Sequence, residues 1–448
     1  MMLAAAGSAI GYKSTSGGFA YGRVSAPSAK RETQCQSPSP RWRAWCSTYR
    51  LRKAPAMSAL TNPRINHDTL EHLLQSPMPF GGSAGYSTEG DVLVNVTADG
   101  VALEVIWQEA AAVAAKWNTE RSALTSLLTF NTTNTADAIP QSRSQDSFEL
   151  CSEYGEPESI RPPADYALVG YFFNDYDKAS RWTWKFLRDS TAEQVRAILN
   201  YALEADNRLT TGTILQRLLD PTQGENEWSH PVYGMFNGDN MIPSAYLGKQ
   251  FSSRHNHYLV SGSDTIDSGD LESAIRQVVE HGYGTEPNSR LLTLMNPAQA
   301  EIVASFKAGA ENSPGIIAKH DYIPSAGAPA YLQPENIVGQ VAPESYNGLK
   351  VNGSYGPTWL VESQFLPEDY FAVVATYGPN SPDNAIGFRE HVQSQYRGFR
   401  IIPGQVPAYP IQDSFFTRAF GVGVRRRGQA CITQLKSSGE YDIPNIPK

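Results

Sequence analysis

Residues 190–221 read STAEQVRAILNYALEADNRLTTGTILQRLLDP, and this stretch decides the fold. Ser190 and Glu193 stand at capping-box spacing, the signature of a helix start. Val195, Ile198, Leu199, Ala202 and Leu203 recur on one helical face, and Ile214, Leu215, Leu218 and Leu219 continue it. Asp220-Pro221 ends the pattern, because proline disfavours helical backbone in the residue before it. With Gly212 tolerated inside, the spacing predicts a helix over 191–219, a rod of about 44 Å at 1.5 Å per residue. Few globular helices are so long, so this one is expected to cross the whole subunit.

Outward from this rod the chain alternates helices with short strands. An apolar face of Leu103, Ile106, Trp107, Ala110, Val113, Ala114 and Trp117 predicts a helix from about Val101 to Asn118, preceded by a strand at Val92, Val94 and Val96. Phe130–Asp165 carries seven acids, two arginines, no lysine and four prolines without helical period; such a segment inside an ordered chain reads as a long protruding hairpin. A further helix starts near Ser268 and uses Leu271, Ile275, Val278 and Val279. Leu291–Met295 predicts a strand, followed by a helix with Asn296 as cap and Pro297 in its first turn. From Ile337 onward short strands dominate. The fold class is α+β, with no internal repeat and no βαβα rhythm.

Charge divides the chain. Residues 1–56 hold nine Lys or Arg against Glu32 alone, while the chain as a whole carries 37 basic and 45 acidic residues. The remainder, from Met57, therefore stands at 28 against 44, too acidic to grip a phosphate backbone by counterion release. The basic head is compatible with a transit peptide, with a disordered arm facing nucleic acid, or with an upstream extension ahead of a start at Met57; the composition break at Met57 favours the last. Met57–Gly90, polar and rich in Pro and Gly, reads as an extended arm. No apolar run of membrane-spanning length occurs. Cys35 and Cys46 lie in the head and Cys151 and Cys431 far apart in the body, which forms neither metal-ligand spacing nor a disulfide framework.

Candidate chemistry is thin. His255 and His257 alternate as on a strand and could share a metal, with His230 or His281 brought near by folding. Without a Cys or acidic ligand pattern beside them, structural hydrogen bonding is the favoured reading, and no catalytic, cofactor or metal residue is assigned. Gly421-Val422-Gly423 before Arg425, Arg426 and Arg427 meets neither phosphate-loop spacing and reads as a strand, with the arginines on a solvated or intersubunit face. Asp264, Asp267 and Asp270 lack calcium-loop spacing; Asp267 or Ser268 as a helix cap accounts for the cluster.

Four stretches carry a resemblance to a family: DYALVGYFFNDYDKASRWTWKFLRDST (165–191), HNHYLVSGSDTIDSGDLESAIRQVVEHGYG (255–284), RLLTLMNPAQAEIVASFKAG (290–309) and the tail GFREHVQSQYRGFRIIPGQVPAYPIQDSFFTRAFGVGVRRRGQA (387–430). In order and spacing they resemble the major capsid proteins of tailed phages, with the fold named after the Hong Kong phage. The resemblance implies an N-terminal arm over 57–100 after the head at 1–56, a helix region over 101–129 and an extended loop over 130–165. It further implies a peripheral domain over 166–284 with its spine helix at 191–219, an axial domain over 285–390, and return strands to the peripheral domain over 391–448. It implies a shell protein of the virion and no enzyme, with copies of itself as partners in pentamers and hexamers. Scaffold, portal and decoration proteins are further expected partners, the enclosed DNA is bound without sequence specificity, and neither membrane nor cofactor is involved. Some family members join a loop lysine to a neighbour's asparagine; this loop offers no lysine. Two alternatives stay open: an encapsulin-like nanocompartment, and, from another class, a metal-dependent enzyme using His255 and His257.

Overall fold

A computed structural model describes residues 95–119, 122–140, 166–243, 249–326, 341–403 and 411–448, with 150, 151, 153, 155 and 245–247 between them. The readings of the head, of the arm at Met57–Gly90, of Val92 and Val94 and of most of the loop between 141 and 165 fall outside these residues.

Val96 makes a single antiparallel bridge with Ala102, and α1 (Leu103–Thr119) follows, burying Leu103, Ile106, Ala110 and Ala114 at helical spacing. Val113, on the predicted apolar face, is exposed. The short α2 (Ala123–Leu128), whose Thr125 amide donates to Ser122 Oγ, runs directly into β1 (Thr129–Thr132). Phe130 was expected to open the protruding loop; it is instead buried in a sheet, because β1 lies parallel to β17 (Ile386–Glu390). The hairpin proper begins at β2 (Ala136–Pro140), paired antiparallel with β3 (Tyr166–Gly170).

After β4 (Asn174–Thr183) and α3 (Trp184–Asp189) comes the rod, α4 (Ala192–Leu219), about 42 Å long at 1.5 Å per residue. Its capping box is Thr191 with Gln194, one residue later than the predicted Ser190 with Glu193. Ser190 is already engaged in closing α3, its amide donating to the Phe186 carbonyl at 2.8 Å, so the next residue caps α4. Gly212 does not break the rod; it is buried where a side chain would overlap the Pro447 carbonyl of the C-terminal tail. Two cores share this one helix. Its first half, through Val195, packs with Leu103, Ile106, Trp182 and Leu187, and its second half, through Ile214, Leu215, Leu218 and Leu219, enters the main core.

Beyond the two-stranded piece β5 (Gly224–Glu225) and β6 (Pro231–Val232) lie β7 (Tyr258–Val260), α5 (Ser268–Glu280), β8 (Arg290–Met295) and α6 (Pro297–Val303), the last with Asn296 as cap and Pro297 in its first turn. Short strands then prevail, as the sequence predicts: β9 (Glu311–Ser313) with β10 (Ile316–Ile317), β11 (Tyr322–Pro324), β12 (Ser345–Tyr346) with β13 (Leu349–Lys350), β14 (Gly353–Tyr355), β15 (Thr358–Glu362) and β16 (Tyr370–Thr376). The chain closes with β17, β18 (Phe399–Ile402), the long β19 (Ile411–Val424) and β20 (Ala430–Gln434).

Two sheets organise these strands. One has five, ordered β1-β17-β19-β18 with β4 also paired to β19; the other has seven, ordered β11-β14-β15-β8-β16-β20-β7. Successive strand residues point to opposite faces, and the central strands of the larger sheet are apolar on both. Leu291, Met295, Phe371, Val373 and Cys431 face α5 and α6. Leu292, Leu294, Ala372, Val374 and Ile432 face the main core, where Phe388, Phe420 and Val422 of the smaller sheet meet α4. The sheets interleave along the chain. Helix α5 packs on β16 and β20 of the seven-stranded sheet, β17 belongs to the five-stranded one, and β20 returns to the seven-stranded one. No helix among the described residues is long and apolar enough to cross a membrane.

Candidate functional site

Gly421 and Gly423 lie on β19, where any side chain would collide with the backbone of 170–173; Phe172 N donates to Val422 O at 3.2 Å across this contact. Close backbone passage, and no phosphate, explains the glycines. Of the arginines expected on a solvated or intersubunit face, Arg425 and Arg426 are partly exposed and Arg427 is buried. Arg427 is only 5% exposed, pairs with Asp239 at 2.5 Å and donates to the carbonyls of Gly234 and Met241. Arg425 stacks over Phe130 at 3.9 Å and pairs with Asp137, and Arg426 pairs with Asp383.

Among the aspartates, Asp267 caps α5, its Oδ1 accepting from the Asp270 amide at 2.9 Å while Asp270 Oδ2 accepts from the Asp267 amide at 3.3 Å. Burial and the nearby Asp267 carboxylate push Asp270 up to about 7. Asp264 serves elsewhere, accepting from the Ser437 amide.

The histidines converge. His257 sits immediately before β7, anchored by its amide donating to Phe236 O and its carbonyl accepting from Ile432 N, each at 2.8 Å. His255 is two residues earlier, and His281 is the C-cap of α5. The three Nε2 atoms are 3.1 Å (His255–His257), 2.8 Å (His255–His281) and 2.8 Å (His257–His281) apart. His257 Nδ1 lies 2.7 Å from the Ala430 carbonyl of β20; a carbonyl only accepts, so Nδ1 carries the proton. The Phe251 ring stacks on His281 at 3.6 Å, and a side chain at Gly428 would press on the other histidine surface. Burial drives His257 down to about 3 and His281 to about 2 and lowers His255 as well, so all three rings are neutral near pH 7. His230, also considered as a partner, stays apart in the turn between β5 and β6, its amide donating to Asn226 Oδ1 at 2.9 Å.

Beside His281 opens a polar cleft of about 800 Å³, lined also by Asp137, Tyr246, Tyr283, Glu286 and Arg425. A second buried group was not foreseen from sequence: Asp206 of α4 pairs with Arg418 of β19 at 3.1 Å and accepts from Trp117 Nε1 of α1 at 2.9 Å. On the outer surface stand large apolar side chains, with Leu150 99% and Leu247 88% exposed.

No protein-family model matches the chain, and no curated protein is significantly similar to it. Among solved structures, a chain of Mycobacterium phage Patience is 33% identical, with 81% of this chain aligned to 97% of that one at a TM-score of 0.62. More remote are the capsid of a native GTA particle, at 12% identity, 70% and 91% coverage and a TM-score of 0.39, and the SrpI encapsulin complex of Synechococcus elongatus PCC 7942, at 9% identity, 74% and 97% coverage and a TM-score of 0.38.

Proposed function

This chain belongs to the family of tailed-phage major capsid proteins, and we propose that its copies close, as pentamers and hexamers, into the icosahedral shell around a double-stranded DNA genome. The observation that carries this reading is the 33% identity over 97% of the phage chain. The function is structural, and its place is the virion.

The five-stranded sheet with α4 fits a peripheral domain and its spine. The seven-stranded sheet with α5 and α6 fits an axial domain at the capsomer centre, and β2–β3 is the stem of a loop laid across a neighbour. Contacts that pair one patch with a different patch close into rings when the rotation permits. Many weak contacts, each formed while its neighbours hold the subunit in place, add to a stable shell. The acidic body encloses DNA without gripping it; scaffold, portal and decoration proteins are the further partners this role calls for.

Electron microscopy of the purified full-length chain tests the reading. Closed shells of uniform size with five-fold vertices are expected. Monomers or small oligomers alone, from a folded preparation carried through a range of salt and protein concentrations, would refute it.

A further inference from the structure

The histidine triangle poses a problem that hydrogen bonding cannot solve. A ring nitrogen either carries a proton and donates or carries a lone pair and accepts. Of three such nitrogens two must share a role, so at least one side of the triangle sets lone pair against lone pair or N–H against N–H at 3.1 Å or less. His257 fixes part of the assignment. Its Nδ1–H is committed to the Ala430 carbonyl, which leaves its Nε2 a bare lone pair aimed at the other two rings.

We propose that His255, His257 and His281 bind one divalent transition-metal ion, Zn²⁺ or a similar borderline ion such as Co²⁺ or Ni²⁺, through their three Nε2 atoms. Three lone pairs directed at one cation remove the conflict. Nitrogen ligands lie about 2.0–2.1 Å from such an ion. At right angles about the metal they would be about 2.9 Å apart, and at tetrahedral angles about 3.4 Å. The separations of 2.8–3.1 Å match three ligands on one face of a coordination sphere, with the other positions left to water from the cleft that His281 also lines.

The ligand set selects the ion. Imidazoles alone suit borderline metals, whereas Ca²⁺ and Mg²⁺ require oxygen. The Nδ1–H bond of His257 to a carbonyl is the outer contact that orients a ligating histidine, and Phe251 and Gly428 hold the His281 ring in place. Two nearby cations are each held by a carboxylate, Arg427 by Asp239 at 2.5 Å and Lys249 by Glu280 at 2.6 Å, which limits their repulsion of a metal. The ion would staple the end of α5 to β7. That strand is a three-residue edge of the seven-stranded sheet, paired there with β20, so the ion would secure one sheet edge.

Untagged full-length protein, freed of metal and titrated with Co²⁺ and then Zn²⁺, tests the site without reference to shell formation. Expected are one ion per chain, a Co²⁺ absorption spectrum typical of nitrogen ligation that Zn²⁺ abolishes, and a chelator-induced fall in thermal midpoint. His255→Gln and His281→Gln should each weaken binding by at least about tenfold, and the chelator should leave their midpoints unmoved. Half-buried His255 is the substitution the fold tolerates best, so His255→Gln decides the matter if His281→Gln does not fold. Folded wild-type chain that takes up no ion at tenfold excess, or His255→Gln that binds as tightly as wild type, would overturn the proposal.

Discussion

Gly212 shows a residue whose sequence reading and structural role differ in sign. On propensity alone, alanine in mid-helix is better than glycine by about 1 kcal/mol. Here the C-terminal tail crosses α4 at Gly212, and a methyl group would strike the Pro447 carbonyl. Gly212→Ala is therefore expected to destabilise the full chain by about 1–3 kcal/mol through overpacking. In a chain ending at Ile446 the same substitution should stabilise, and denaturant unfolding of the four variants reads the reversal. Asp270 supplies a pH signature. Unfolded, its carboxyl ionises near pH 4; folded, it holds its proton up to about 7. Its favourable contribution is thus complete below about pH 4 and is lost as the pH rises toward 7. Asp270→Asn removes the titration, so thermal midpoints measured from pH 4.5 to 7.5 should fall less for the variant than for wild type. Caps of this kind are legible in sequence because donor and acceptor are three residues apart, and of the two candidates, Asp267 and Ser268, Asp267 is the cap. The third histidine beside His255 and His257 was not legible in this way, since His230 and His281 are equally plausible until α5 delivers one of them. Nor was Arg427 as a buried ion, because Asp239 lies nearly two hundred residues away.

At the scale of elements, periodicity revealed the longer helices, passed over the short α2 and α3, and misplaced a boundary where two elements compete for one residue. Ser190 ends α3, so Thr191 begins α4. The segment read from its acids and prolines as a protruding hairpin lies mostly outside the described residues; its first residues were misassigned, because nothing local announces that β1 will pair with β17 some 250 residues on. The stem β2–β3 makes the loop separable from the body. Replacing 141–165 with a short turn keeps that stem and should leave a folded chain, by circular dichroism, that no longer closes shells under the microscope. Normal shells from this variant would show that the loop is not an assembly strap.

For the whole molecule, the absence of lysine between Phe130 and Asp165 bears on how the shell is held. A covalent link from this loop needs a neutral amine as nucleophile. Arg143 and Arg161 cannot provide one, since guanidinium stays protonated, and Lys116 and Lys178 belong to α1 and β4. Boiled, reduced particles should run on a denaturing gel as a monomer of no more than the 49.1 kDa of the full chain; a ladder of covalent oligomers would contradict this. The order of strands carries a further consequence. In the smaller sheet β19 pairs with β17, β18 and β4, and in the larger one β20 joins β7 to β16. A nascent chain with only its first 410 residues outside the ribosome therefore has neither sheet complete. Pairings this distant also form slowly. A subunit thus has both sheets only once residues 411–434 have emerged, which keeps shorter nascent chains from joining neighbours.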